Sequence, residues 1–70
     1  MGSFNESVAQ EAGALYEGLL GVGDTAGARR FADGITSVSP RETTYDGLVD
    51  AAETVGAGSE VIRLKAAAAK

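Results

Sequence analysis

Cysteine and histidine are both absent from this chain of 70 residues. Without cysteine there is neither a disulfide staple nor a thiolate metal site, and without histidine a zinc, copper or iron site would rest on carboxylates alone, an unusual donor set for those metals. Serine and threonine are present, but no imidazole or other evident base stands ready to activate them, so a nucleophilic enzyme is not expected. Basic residues are scarce as well: six Lys or Arg against ten Asp or Glu leave a net charge of −4. That balance argues against nucleic acid and against anionic membrane surfaces, both of which reward clustered positive charge. No apolar run approaches the roughly 18 residues that would span a bilayer, and no basic-then-apolar leader opens the chain. The expectation is a cytoplasmic, non-catalytic protein with no cofactor. At this length one core is barely sufficient for stability. Support must come from close helix packing, from oligomerisation or from a parent chain. Residues 1–70 therefore read as a single helical domain, or as a fragment of a longer repeat protein.

What is present is helical periodicity. Val8, Ala12, Leu15, Leu19 and Val22 form one apolar stripe; Ala28, Phe31, Ala32, Ile35 and Val38 a second; Tyr45, Leu48, Val49, Ala52 and Val55 a third; Ala57, Val61, Leu64 and Ala68 a fourth. Nothing alternates with period two. Ser3-Phe4-Asn5-Glu6 has the form of a capping box, Gly23 can end the first helix in a left-handed conformation, and Asp24 can cap the second. Ser39-Pro40-Arg41-Glu42 predicts a Ser N-cap with Pro at the first helical position. Gly56 and Gly58 break the third helix, and Ser59 can cap the fourth. The fold expected is all-α: four antiparallel helices near 4–22, 25–37, 40–55 and 59–69, arranged as two stacked helix-turn-helix hairpins.

The chain also echoes itself. Tyr16-Glu17-Gly18-Leu19-Leu20 returns as Tyr45-Asp46-Gly47-Leu48-Val49, an offset of 29. An offset of 33 pairs Leu15 with Leu48, Gly23 with Gly56, Ala28 with Val61, Phe31 with Leu64 and Ile35 with Ala68, so that turns fall on turns and stripes on stripes. Stacked copies of one small unit usually bind rather than catalyse. A unit recurring at this period, with Gly27-x-x-x-Phe31-x-x-Gly34 ahead of Pro40, and Ala12-Gly13 ahead of Tyr16, resembles the tetratricopeptide repeat over residues of about 5 to 69. The chain departs from that family in having no Trp and in setting Pro40 one place late; a plain four-helix bundle remains the alternative architecture. Ten glycines are about twice the average usage. Gly13, Gly18, Gly27, Gly34 and Gly47 fall inside predicted helices, each at a cost of about 1 kcal/mol against Ala, which is offset if helix backbones approach closely there.

Gly21-Val22-Gly23-Asp24-Thr25-Ala26-Gly27 has the glycines of a dinucleotide loop but follows a helix and leaves no room for a βαβ unit, so it reads as a turn. Asn5-Glu6-Ser7 matches a glycosylation sequon only by pattern. The constellation that costs something is acidic: Glu42, Asp46 and Asp50 follow at i, i+4, with Glu53 continuing the face. Such spacing destabilises a helix by about 0.2–0.5 kcal/mol per pair. The first predicted helix is acidic too, whereas the second and fourth carry Arg29, Arg30, Arg63 and Lys65. Three readings compete: a solvated face partly neutralised by Arg29 or Arg30, a binding surface, and self-association of acidic with basic faces. A divalent-cation site ranks behind them, because a straight helix rarely wraps enough oxygens around calcium. Tyr16 and Tyr45 pair an apolar ring with a polar tip, suited to a groove wall or to core packing with the hydroxyl at the rim. The resemblance implies that the first helices of each hairpin line a groove, here acidic and suited to a basic or amide-rich peptide. The candidate partner-binding residues are Tyr16, Glu17, Glu42, Tyr45, Asp46 and Asp50. The expected function is protein–protein interaction with a protein or peptide partner. The alternative is a structural bundle that forms a homo-oligomer, because two repeats without a polar capping helix leave apolar ends uncovered.

Overall fold

In a computed structural model of the chain, the backbone is described for residues 2–70 and the side chains for residues 10–70. Four helices follow one another: α1 (Gly2–Gly21), α2 (Thr25–Val38), α3 (Glu42–Thr54) and α4 (Gly58–Ala68), with no strand among the described residues. The all-α class expected from the stripes is the class observed.

The two short turns share one geometry. Gly23 has φ 83° and Gly56 φ 74°, the left-handed region in which glycine alone escapes a Cβ penalty. Around each, paired backbone bonds close the preceding helix. Gly23 N–H donates to Leu20 O at 3.0 Å and Asp24 N–H to Leu19 O at 2.9 Å; Gly56 N–H donates to Glu53 O at 3.1 Å and Ala57 N–H to Ala52 O at 2.9 Å. These are two Schellman closures, and their glycines stand 33 residues apart (56 − 23). Asp24 then caps α2 as expected, its carboxylate accepting from Gly27 N–H at 2.9 Å.

Three other capping expectations are corrected. Pro40 lies in the link before α3, not at its first helical position; the N-cap is Arg41, without a side-chain cap bond. Ser39 closes α2 instead, its N–H donating to Ile35 O at 2.8 Å, while its hydroxyl pairs with buried Thr44 at 3.1 Å. With Ser39 spent on both neighbours and held before a proline, which disfavours helical backbone at the preceding residue, the helix starts two residues later. Ser59 does not cap α4; Ala57 holds that position, and Ser59 sits exposed inside the first turn. Ser3 falls within α1 rather than at its cap, and its side chain lies outside the described residues, as does Val8.

The most extensive packing is α1 on α3; α3 on α4 and α1 on α2 follow, and α2 touches α3 only lightly. Small residues make this possible. Ala12, Ala28, Ala32, Ala51 and Ala52 are buried with Tyr16, Leu48 and Leu64, and Leu19, Leu20, Phe31, Ile35, Val49, Ala57 and Val61 pack around them. A Cβ built on Gly13 would stand 3.0 Å from the carbonyl oxygen of Gly47, so α1 and α3 cross with two glycines face to face. Close crossing thus accounts for Gly13 and Gly47. It does not account for Gly18 and Gly34, where an added Cβ would meet open space, nor for Gly27, where it would meet only the Asp24 cap. The Cα radius of gyration, 10.9 Å, matches the roughly 11 Å of a compact chain this long.

Candidate functional site

The Gly13–Gly47 crossing floors an open cleft between α1 and α3. Its volume is about 310 Å³, and Gln10, Ala14, Glu17, Asp50, Ala51 and Thr54 complete the lining. With no side chain on either glycine, the two backbones close on each other at the floor. Glu17 and Asp50 rise from opposite helices and are exposed. Such a cleft offers carboxylates on both rims, which is chemistry for a cationic or amide-bearing group.

The other candidate residues lie elsewhere. Glu42, Tyr45 and Asp46 line a second cleft, between α3 and α4, of about 570 Å³, together with Pro40, Val49 and Lys65. Glu42, Asp46, Asp50 and Glu53 are all exposed and form one acidic ridge on α3 with the two clefts on its flanks. Tyr45 is half-buried and reaches the rim. The structure therefore joins Glu17 with Asp50, and Glu42 with Tyr45 and Asp46, and leaves Tyr16 out of both groups.

Tyr16 is 0% exposed and corrects the expectation of a groove-wall tyrosine. Its hydroxyl is not at the rim; it donates to Glu60 Oε1 at 3.2 Å, inside the core. Glu60 is itself 1% exposed, and its second oxygen accepts from Arg29 Nε at 3.0 Å and from Arg29 Nη2 at 2.8 Å. Burial, together with the charge and hydrogen bond of Glu60, pushes the Tyr16 hydroxyl up to about 12. The Arg29 hydrogen bond, helped by that of Tyr16 and the charge of Arg29, holds Glu60 below the usual carboxylate range against the opposing effect of burial. The same pairing raises Arg29. Glu60 is also the third residue of α4, where the helix N-terminus favours negative charge. A second ion pair, Arg63 Nη2 to Asp33 Oδ2 at 3.3 Å, joins the same two helices at the surface. Backbones of α4 and of α1 or α2 do not meet among the described residues, so these side chains bridge the gap.

Two consequences follow. Arg29 is committed to Glu60, so it does not neutralise the acidic face of α1 or α3, and that ridge carries no ion pair among the described residues. Glu60 was not singled out in the sequence, although a signal was there: it sits three residues after Ala57 and four before Leu64, on the apolar stripe of its helix. A carboxylate on a core stripe requires a partner.

Known families, curated proteins and solved structures yield no match to this chain. Among the described residues no group of three or more Asp or Glu converges as a metal site, and no helix is long and apolar enough to cross a membrane.

Proposed function

We propose that this chain is a non-catalytic interaction module, similar in plan to a tetratricopeptide pair, that holds a basic or amide-rich peptide over the acidic surface of α1 and α3. The observation that carries the reading is the α1–α3 cleft, with exposed Glu17 and Asp50 on its rims over the Gly13–Gly47 floor. A Lys or Arg side chain entering it replaces water between two carboxylates, and the flanking peptide lies along the Glu42–Asp46–Asp50 ridge. The two matching turns 33 residues apart support the repeat plan. Exposed ion pairs are individually weak, about 0–1 kcal/mol each. Binding should therefore be modest, several-fold weaker at high salt, and dependent on more than one cationic residue.

The test is fluorescence anisotropy with a labelled peptide of alternating Lys and Gly, against a Glu/Gly control. Saturable binding lost in Glu17→Lys with Asp50→Lys, at unchanged helix content, supports the reading. Binding equal in that variant, or equal for the control peptide, rejects it.

A further inference from the structure

The face of the α1–α2 pair that points away from α4 is apolar and uncovered. Leu15 is 56% and Val22 80% exposed on α1, and Leu15 forms a shallow cleft with Glu11, Ala12, Phe31 and Ile35. On α2, Gly27, Phe31, Gly34 and Val38 succeed one another at helical spacing, and Val38 is exposed. Within this molecule two of the equivalent positions are covered, while Val55 and Ala68, the counterparts of Val22 and Ile35, are exposed. Leu48 and Leu64, which stand 33 residues after Leu15 and Phe31, are 0% and 3% exposed, buried in the core that joins the two helix pairs. At the centre of the face, Leu48 is filled in where its counterpart Leu15 is bare.

Charge identifies the occupant. The α1 edge of the face carries Glu11, and the α2 edge carries Arg30, four residues before Gly34; both are exposed, and Arg30 makes no ion pair among the described residues. One face with an acid on one edge and a base on the other is complementary to itself under a two-fold rotation, which sets α1 of one copy against α2 of its partner. Head-to-tail stacking fits poorly. The far side of α3–α4 carries Asp46 and Lys65, where the 33-residue register gives Gly13 at the helix crossing and buried Ala32. A copy docking there would lose the glycine crossing and bury two charges.

We infer that two copies of this chain associate face to face through Leu15, Val22, Phe31, Ile35 and Val38, with Glu11 of each copy paired to Arg30 of the other. The surface lies away from Glu17 and Asp50, so peptide binding and self-association are separable. Sedimentation equilibrium over a wide range of concentration tests it. The wild-type mass doubles with concentration. Leu15→Glu, an exposed position, abolishes doubling while circular dichroism stays helical. Glu11→Lys and Arg30→Glu each weaken association by about tenfold, and the double swap restores it, as complementary rim charges require. A wild-type protein that stays monomeric at its solubility limit, a Leu15→Glu variant that associates normally, or a double swap no better than the singles overturns the inference. Lysine-peptide binding that survives Leu15→Glu shows the proposed function to be independent of this interface; its loss in Glu17→Lys leaves the dimer untouched.

Discussion

Replacing Glu60 with Ala should remove the buried side-chain link from α4 to α1 and α2. The carboxylate is 1% exposed and accepts three hydrogen bonds, one from Tyr16 and two from Arg29. After truncation the Tyr16 hydroxyl, in a residue 0% exposed, has lost its acceptor; a buried unpaired hydroxyl costs about 1–3 kcal/mol. The lost methylene adds about 0.8 kcal/mol. Arg29 adds little, because its side chain is 46% exposed and water takes over its donors. The sum is about 2–4 kcal/mol, against a total stability of roughly 4–10 kcal/mol for a chain of this size. Since about 1 kcal/mol moves the midpoint of so small a domain by about 4–8 °C, the melting temperature should fall by about 8–32 °C. Urea unfolding followed by ellipticity at 222 nm, alongside a thermal scan, measures both. Glu60→Gln keeps an acceptor for Tyr16 and loses only the ionic part, so it should fall between Glu60→Ala and wild type. A Glu60→Ala variant within about 0.5 kcal/mol of wild type, the range of a bland surface change, would refute the reasoning.

The same triad sets a pH dependence at both ends. Glu60 is lowered in the folded state, so its contribution is fully present above the unfolded carboxylate value of about 4.3 and is lost as pH falls through the folded value. Tyr16 is raised to about 12, so its contribution is present below about 10 and is lost as pH climbs from 10 towards 12. Tyr16→Phe should flatten the alkaline limb of stability against pH, and Glu60→Gln the acid limb. At the helix crossing, Gly13→Ala should gain nothing and cost up to about 2 kcal/mol, the displacement of the Gly47 carbonyl (about 1–3 kcal/mol) less a propensity gain of about 1 kcal/mol. Gly18→Ala and Gly34→Ala, with open space around them, should stabilise dilute protein by about 0.5–1 kcal/mol in the same urea assay. Gly23→Ala and Gly56→Ala should each cost about 1–2 kcal/mol for the left-handed backbone. Asp24→Ala should cost about 1 kcal/mol, and Ser59→Ala almost nothing, since of these two residues Asp24 alone accepts a cap hydrogen bond.

Local chemistry was legible in the residues. Apolar spacing is a property of neighbours three and four apart, so it located four helices. Glycine at 23 and 56, and aspartate at 24, act within a few residues of backbone and behaved as their types require. Ser39 and Pro40 depart from their expected roles because two capping sites lie within reach of Ser39 and its contact with Thr44, across the α2–α3 link, chooses between them. Of five internal glycines, only Gly13 and Gly47 meet another backbone. Spacing alone cannot tell which side of a helix a second helix will cross.

Composition and order by themselves determined an acidic, all-helical chain without the side chains for thiol or imidazole chemistry, and determined where its helices turn. Tertiary structure decided everything that depends on residues far apart in the chain. It turned Tyr16 inward onto Glu60, 44 residues away, when the sequence allowed it to face either way. It drew Arg29 from the acidic ridge to the same carboxylate, because a buried charge must be paired while an exposed one is already solvated. It set Glu17 across a cleft from Asp50, and it covered Leu48 while leaving its counterpart Leu15 bare. Periodicity identifies which residues share a face. Only packing determines what that face meets.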